Sequence, residues 1–93
     1  MAIRKVAIAC QGGGTHAAFT WGVLDRLLEG DEIEIAGISG TSAGALNGAA
    51  VKAGLAAAPG RPGRQAAREN LRHVWTEATR SSDNSVVRWM TSF

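Results

Sequence analysis

Two short apolar runs in this chain each end abruptly in a cluster of glycines, and each is followed at once by a helical pattern. That repetition constrains the fold more than any other feature. The first run, Ile3 to Cys10, contains Val6, Ala7, Ile8 and Ala9 and leads into Gly12-Gly13-Gly14. The second, Ile33 to Ser39, leads into Gly40-Thr41-Ser42-Ala43-Gly44. The continuous apolar stretch of the first suits a strand buried on both faces, as in parallel α/β sheets, and the second reads as another strand. Between them, from Thr15 to Glu29, Ala17, Trp21, Leu24 and Leu28 recur at helical spacing, Asp25, Arg26 and Glu29 fall elsewhere, and Gly30 supplies a stop. Strand, helix, strand in this order is a right-handed crossover unit, so the fold class is α/β.

A second helix is expected from about Ala45 to Ala53, with Ala45, Ala49, Ala50 and Ala53 small enough for close packing on the sheet. Pro59-Gly60-Arg61-Pro62-Gly63 breaks the chain. A third helix, Arg64 to about Thr79, places Ala67, Leu71, Val74 and Ala78 on one face. Ser81 to Ser85 reads as a polar loop, and the segment Val86 to Phe93 is again apolar, with no polar ending.

Apolar residues form 45% of the 93 and charged residues 19%, a balance that excludes intrinsic disorder and leaves one small globular domain at most. Ten Lys and Arg against eight Asp and Glu give a net charge of +2, too small an excess to argue for nucleic acid. The single cysteine, Cys10, permits no intrachain disulfide, and the apolar run after the basic N-terminus is too short for a signal-peptide core. A cytoplasmic location is the default expectation. The Ala-rich stretch from Ala43 to Ala58 is interrupted by Asn47 and Lys52 and makes a poor membrane span.

The chemistry lies in the two glycine turns. Gly40-Thr41-Ser42-Ala43-Gly44 fits G-x-S-x-G in its required setting, between a strand and a helix. At such an elbow the serine sits on a tight turn that presents its hydroxyl, and the neighbouring chain passes so close that Gly40 and Gly44 are needed on either side. The helix behind Ser42 offers its positive end, so the Ala43 N–H can hold a developing oxyanion. The simpler alternative is that Ser42 only caps the second helix. In Gln11-Gly12-Gly13-Gly14-Thr15, the glycines can turn unpaired N–H groups toward an anion, or can merely make a tight strand-to-helix turn.

Taken together, Gly12-Gly13-Gly14-Thr15-His16-Ala17, a helix, and then Gly-Thr-Ser-Ala-Gly-Ala-Leu-Asn resemble the opening of patatin-like phospholipases, over a stretch from Val6 to about Gly54. The resemblance implies a three-layer α/β/α fold of which this chain holds the N-terminal β-α-β-α-α portion. It also implies an oxyanion loop at Gly12, Gly13 and Gly14, with Gly13 and Gly14 as donors, and Ser42 as the nucleophile of a lipid acyl-ester hydrolase needing no metal or organic cofactor. Ala17 stands where the family pattern prefers glycine, and His16 where Lys or Arg is common. The family's base is an aspartate in a later Asp-Gly-Gly or Asp-Gly-Ala, and no Asp-Gly pair occurs here. Asp25, Asp31 and Asp83 do not follow a strand in the required way, so the expectation is a fragment, or else an inactive chain.

Other residues have lesser roles. His73 is expected on a helix surface, and His16 either at a substrate oxygen or simply at a helix start. Arg64, Arg68 and Arg72 recur every four residues and present either a peripheral contact for anionic lipid or an ordinary solvated face on which Glu69 can pair with Arg72. Cys10 reads as a small buried hydrophobe. A rival reading takes Gly12, Gly14 and Ala17 as a dinucleotide fingerprint with Glu34 as its acid. Glu34, however, stands near the start of its strand, and the strand's end in Gly40-Thr41-Ser42 would go unexplained. A third reading is a hydrolase domain that keeps the fold and only binds partners. Two strands do not make an independently stable sheet. Residues 1–93 alone are therefore expected to aggregate or stay loosely folded, and a sharp cooperative thermal melt of that piece would contradict the expectation.

Overall fold

A computed structural model describes residues 3–13 and 15–79. Its elements are β1 (Arg4–Cys10), α1 (Thr15–Glu29), β2 (Ile33–Gly40), α2 (Ala43–Ala57) and α3 (Gly60–Thr79). The two strands pair in parallel, which requires the α1 crossover between them. The expected polar loop at Ser81 to Ser85 and the apolar segment Val86 to Phe93 lie outside the described residues.

Register decides where the glycine turns end up. Arg4 pairs with Ile33 at one end of the ladder and Cys10 with Gly40 at the other, so both strands finish level. The two turns therefore leave the same edge of the sheet side by side. Between Val6 and Ala7 the register slips by one residue, from Ile35 to Gly37, leaving Ala36 as a bulge. The slip re-phases β2. Ile33 and Ile35 are half-buried at a spacing of two, and after the bulge Ile38 regains the same condition at a spacing of three.

On β1, Val6 and Ile8 are half-buried and Cys10 is buried, while Lys5, Ala7 and Ala9 are exposed. This corrects the expectation of a strand buried on both faces: among the described residues, helices cover one face only. The core there is formed by Cys10, Leu24, Leu28, Ala50, Val51, Ala67 and Leu71, with Ile8, Ile35 and Ile38 packed against it. Leu24 and Leu28 come from the apolar stripe of α1, and Ala67 and Leu71 from that of α3, as their helical spacing requires. No helix of the described residues is long and apolar enough to cross a membrane.

Three helix boundaries differ from expectation. α2 begins at Ala43, immediately after the serine, and runs past Ala53 to Ala57. Gly54 does not stop it, because this glycine serves packing: a Cβ there would lie 2.8 Å from the carbonyl carbon of Ala66 on α3. α3 begins at Gly60, so the break shrinks to Ala58 and Pro59. Pro62 is tolerated because it stands in the first turn, where its missing N–H has no intrahelical acceptor to lose.

The arginine stripe of α3 is largely committed inside the molecule. Arg64 donates from Nη2 to the Leu27 carbonyl at 2.8 Å and from Nε to the Leu28 carbonyl at 3.1 Å, closing the end of α1. Its Nη1 donates to the Ile33 carbonyl, at 2.8 Å, where β2 starts. Arg68 forms a two-pronged pair with Asp25 of α1, Nε to Oδ1 at 2.9 Å and Nη2 to Oδ2 at 3.3 Å, and this hydrogen bonding holds the guanidinium above its usual pKa. Of the three arginines only Arg72 is classed as exposed. The Glu69–Arg72 pair is not among the ion pairs of the described residues, which join Arg26 to Glu29 and Arg68 to Asp25. Replacing Arg64 by Met keeps the aliphatic stem and removes all three donors. Amide exchange in the last turn of α1 is expected to accelerate about 30-fold, or about 2 kcal/mol, whereas Arg61→Met on the exposed first turn of α3 should leave it unchanged.

Candidate active site

Ser42 sits between β2 and α2 with φ 58° and ψ −126°, and among the described residues it alone combines a side chain with a positive φ. The turn is short because only Thr41 and Ser42 separate the two elements. The Gly44 N–H donates to the Thr41 carbonyl and the Ala45 N–H to the Ser42 carbonyl, both at 2.9 Å, so the first turn of α2 winds directly out of the strand. Such a backbone conformation costs about 1–3 kcal/mol and persists only where its surroundings enforce it.

The surroundings do so through two glycines. A Cβ on Gly40 would fall 2.7 Å from the Ala45 nitrogen, and a Cβ on Gly44 would fall 2.7 Å from the carbonyl carbon of Cys10 and 3.1 Å from its Cβ. Neither position admits a side chain. β1 is held against the same turn by the Thr41 N–H, which donates to the Cys10 carbonyl at 3.2 Å.

Capping does not account for Ser42, since its side chain makes no capping hydrogen bond to α2. Its Oγ is buried and has no hydrogen-bond partner among the described residues. An unpaired buried hydroxyl is costly, on the order of 1–3 kcal/mol, and rare enough to require a reason.

The glycine loop after β1 reaches this hydroxyl. A Cβ on Gly12 would lie 2.7 Å from the Ser42 Cβ, 2.7 Å from the Thr41 carbonyl oxygen and 3.3 Å from the Ser42 Oγ. Gly13 adopts φ 109°, a conformation that L side chains rarely take. The structure thus brings Gly12, Gly13, Gly40, Ser42, Ala43 and Gly44 to one edge. Gly14 and the side chains of His16 and Ala17 lie outside the described residues.

The other candidates fall elsewhere. Cys10 is buried beneath the elbow, where loss of solvation raises its thiol pKa and disfavours the thiolate. His73 is exposed on α3. Asp25 is paired with Arg68, and Asp31 lines a groove at the opposite end of the sheet with Ile3, Ile33, Pro59 and Arg64. Asp83 is outside the described residues. Among the described residues, no group of acidic, histidine or cysteine side chains is arranged to hold a metal.

Sequence reading overlooked Trp75. Its indole Nε1 donates to Asn47 Oδ1 at 2.7 Å, its ring stacks on Trp21 at 6.2 Å and 8°, and it packs with Ala43, the residue after the serine. A signal was present in Asn47, a polar residue among the small and apolar side chains of the first turns of α2, and in a tryptophan whose N–H needs an acceptor once buried. The strain at Ser42 yields a stability prediction. Ser42→Gly should raise the thermal midpoint, by about 1 kcal/mol of added stability, relative to Ser42→Ala, which keeps a Cβ at positive φ.

The match to known proteins agrees with this geometry. Residues 8–92 match the family model described as patatin-like phospholipase, over the N-terminal part of that domain. No curated protein and no solved structure matches the chain. A family match over nearly the whole chain, on a β-α-β-α-α arrangement with a parallel pair of strands, shows that the chain belongs to the patatin-like phospholipase family.

Proposed function

We propose that these residues carry the nucleophile half of a serine acyl hydrolase that cleaves lipid esters, with Ser42 as the attacking group. The observation that carries the reading is the conformation of Ser42 itself: a strained φ of 58° with a buried, unpartnered hydroxyl, pressed against the glycine loop of the neighbouring strand. The hydrolase family supplies the substrate class.

In this reading the Ser42 Oγ attacks the ester carbonyl carbon as its proton passes to a carboxylate base. The tetrahedral oxyanion is held by N–H groups of Gly13 and Gly14 and by that of Ala43, at the positive end of α2. The Gly44 and Ala45 N–H groups already donate to Thr41 and Ser42, whereas Ala43 is the first residue of α2, where a helix leaves its N–H without an intrahelical acceptor. Each such donor contributes roughly 3 kcal/mol in the transition state. Collapse expels the alcohol, which takes up the proton, and water then hydrolyses the acyl-serine by the same steps.

The base is an aspartate that is not among these 93 residues. Asp25 already serves Arg68, and Asp31 lies at the far end of the sheet. Without that aspartate the chain is inactive. Work on a lipid substrate brings the protein peripherally to a membrane, and of the stripe formed by Arg64, Arg68 and Arg72 it is Arg72 that stands exposed for such contact. The dinucleotide alternative loses its ground, because Gly12 lies against a serine side chain and Glu34 is at the amino end of β2.

A fluorophosphonate probe tests the proposal on the complete protein. It should modify wild type and leave Ser42→Ala unmodified, and Gly12→Ala should slow the reaction by about 100-fold, as expected when the surroundings of an oxyanion are displaced. Modification that persists in Ser42→Ala would rule out Ser42 as the nucleophile.

A further inference from the structure

α2 and α3 form a hairpin joined by two residues; midway along it Asn70 Nδ2 donates to the Ala50 carbonyl at 3.2 Å, and a further contact lies toward each end. Near the hairpin's closed end, Gly54 lets the backbone of α3 approach at Ala66 and Ala67. Near its open end, Trp75 meets Asn47 and Ala43, which are one turn apart on α2 and so share a face. The first contact is a close approach of backbones that sets the spacing of the two helices. The second is directional: Asn47 is 0% exposed and Trp75 6%, and their 2.7 Å hydrogen bond is the one that orients the first turns of α2, as the Asn70 bond orients its middle. Trp21 of α1, the helix that begins at the glycine loop, stacks on the same indole.

We propose that Trp75 is a positioning residue for the reaction: by holding Asn47 and packing on Ala43, it sets the direction of the Ala43 N–H toward the oxyanion. The inference rests on the hydrolase reading. The donor on Ala43 is a backbone group, so no substitution of Ala43 itself can aim it. Its direction is the direction of the first turn of α2, and Trp75 is the side chain that grips that turn from below. Because the same ring stacks on α1, it links the two glycine turns through one rigid body.

The test compares Trp75→Phe, which keeps an aromatic ring against Trp21 and Ala43 but removes the N–H, with Leu71→Val, which loosens the fully buried core of α3 one turn away. Steady-state hydrolysis of a p-nitrophenyl ester is measured on the complete protein, well below the melting temperature of each variant. Trp75→Phe should lower kcat about tenfold with KM unchanged, a part of the roughly 100-fold cost of losing an oxyanion donor outright. Leu71→Val should keep kcat within twofold. Asn47→Ser, whose shorter side chain cannot reach the indole, should reproduce the Trp75→Phe effect from the other partner. An unchanged kcat in Trp75→Phe and Asn47→Ser, or an equal fall in Leu71→Val, would overturn the positioning role. A wild type inert toward both ester and fluorophosphonate would instead overturn the hydrolase reading, and this inference with it.

Discussion

The carbonyl group at the end of β1 is the contact on which the candidate site depends. Cys10 accepts the Thr41 N–H across the sheet, and Gly44 of α2 lies so close to the same carbonyl that a side chain cannot be inserted. α2 is therefore seated on the ends of both strands. With only Thr41 and Ser42 available to turn from strand to helix, the backbone at Ser42 has to take a positive φ. The strain is offset by what the seating buries, since Ala43, Asn47, Ala50 and Val51 along α2 are all withdrawn from water. Were α2 free to lift away, the turn would relax and the serine would lose its conformation.

α3 keeps α2 from lifting, because it is tied at both ends. Arg64 in its second turn binds the last carbonyls of α1 and the first of β2, at the amino edge of the sheet. Trp75, eleven residues later and so about 16 Å along the axis, reaches the elbow at the carboxyl edge. One helix thus spans the sheet from its amino edge to the carboxyl edge, where the candidate site lies. The Arg68–Asp25 pair between these points joins α3 to α1, and at a partly exposed position it contributes alignment more than energy.

β1, α1 and β2 were legible to within about a residue, because glycines punctuate them and their apolar spacing is unambiguous. Both ends of α2 and the start of α3 were not. Gly54 and the Pro62-Gly63 pair carry breaker chemistry, but in this context Gly54 admits a neighbouring helix and Pro62 occupies a first turn that has no donor to lose. Periodicity also placed Arg64, Arg68 and Arg72 on one face without revealing what that face meets. Two of them meet protein. The juxtaposition of Gly12 with Ser42 was foreseeable from motif order, whereas the grip of Trp75 was not, since a helical stripe through Leu71 and Val74 leaves Trp75 looking like its neighbour.

The arrangement separates the parts of the reaction by how locally they can be built. A strained serine and a backbone donor need only a strand, a two-residue turn and a helix, all contiguous in sequence. A second set of donors needs the adjacent strand to end level with the first, which the Cys10–Gly40 register supplies. A carboxylate base is different, because its charge must be kept beside an apolar elbow without being neutralised by a cation. Asp25, the acidic side chain that the α1–α3 interface does bury in part, meets Arg68 and is spent as a strut. On the proposed hydrolase reading, a base for Ser42 would instead be an aspartate that reaches the carboxyl edge of the sheet away from the α3 arginines. The positive end of α2 would then favour its ionised form, as it favours the oxyanion.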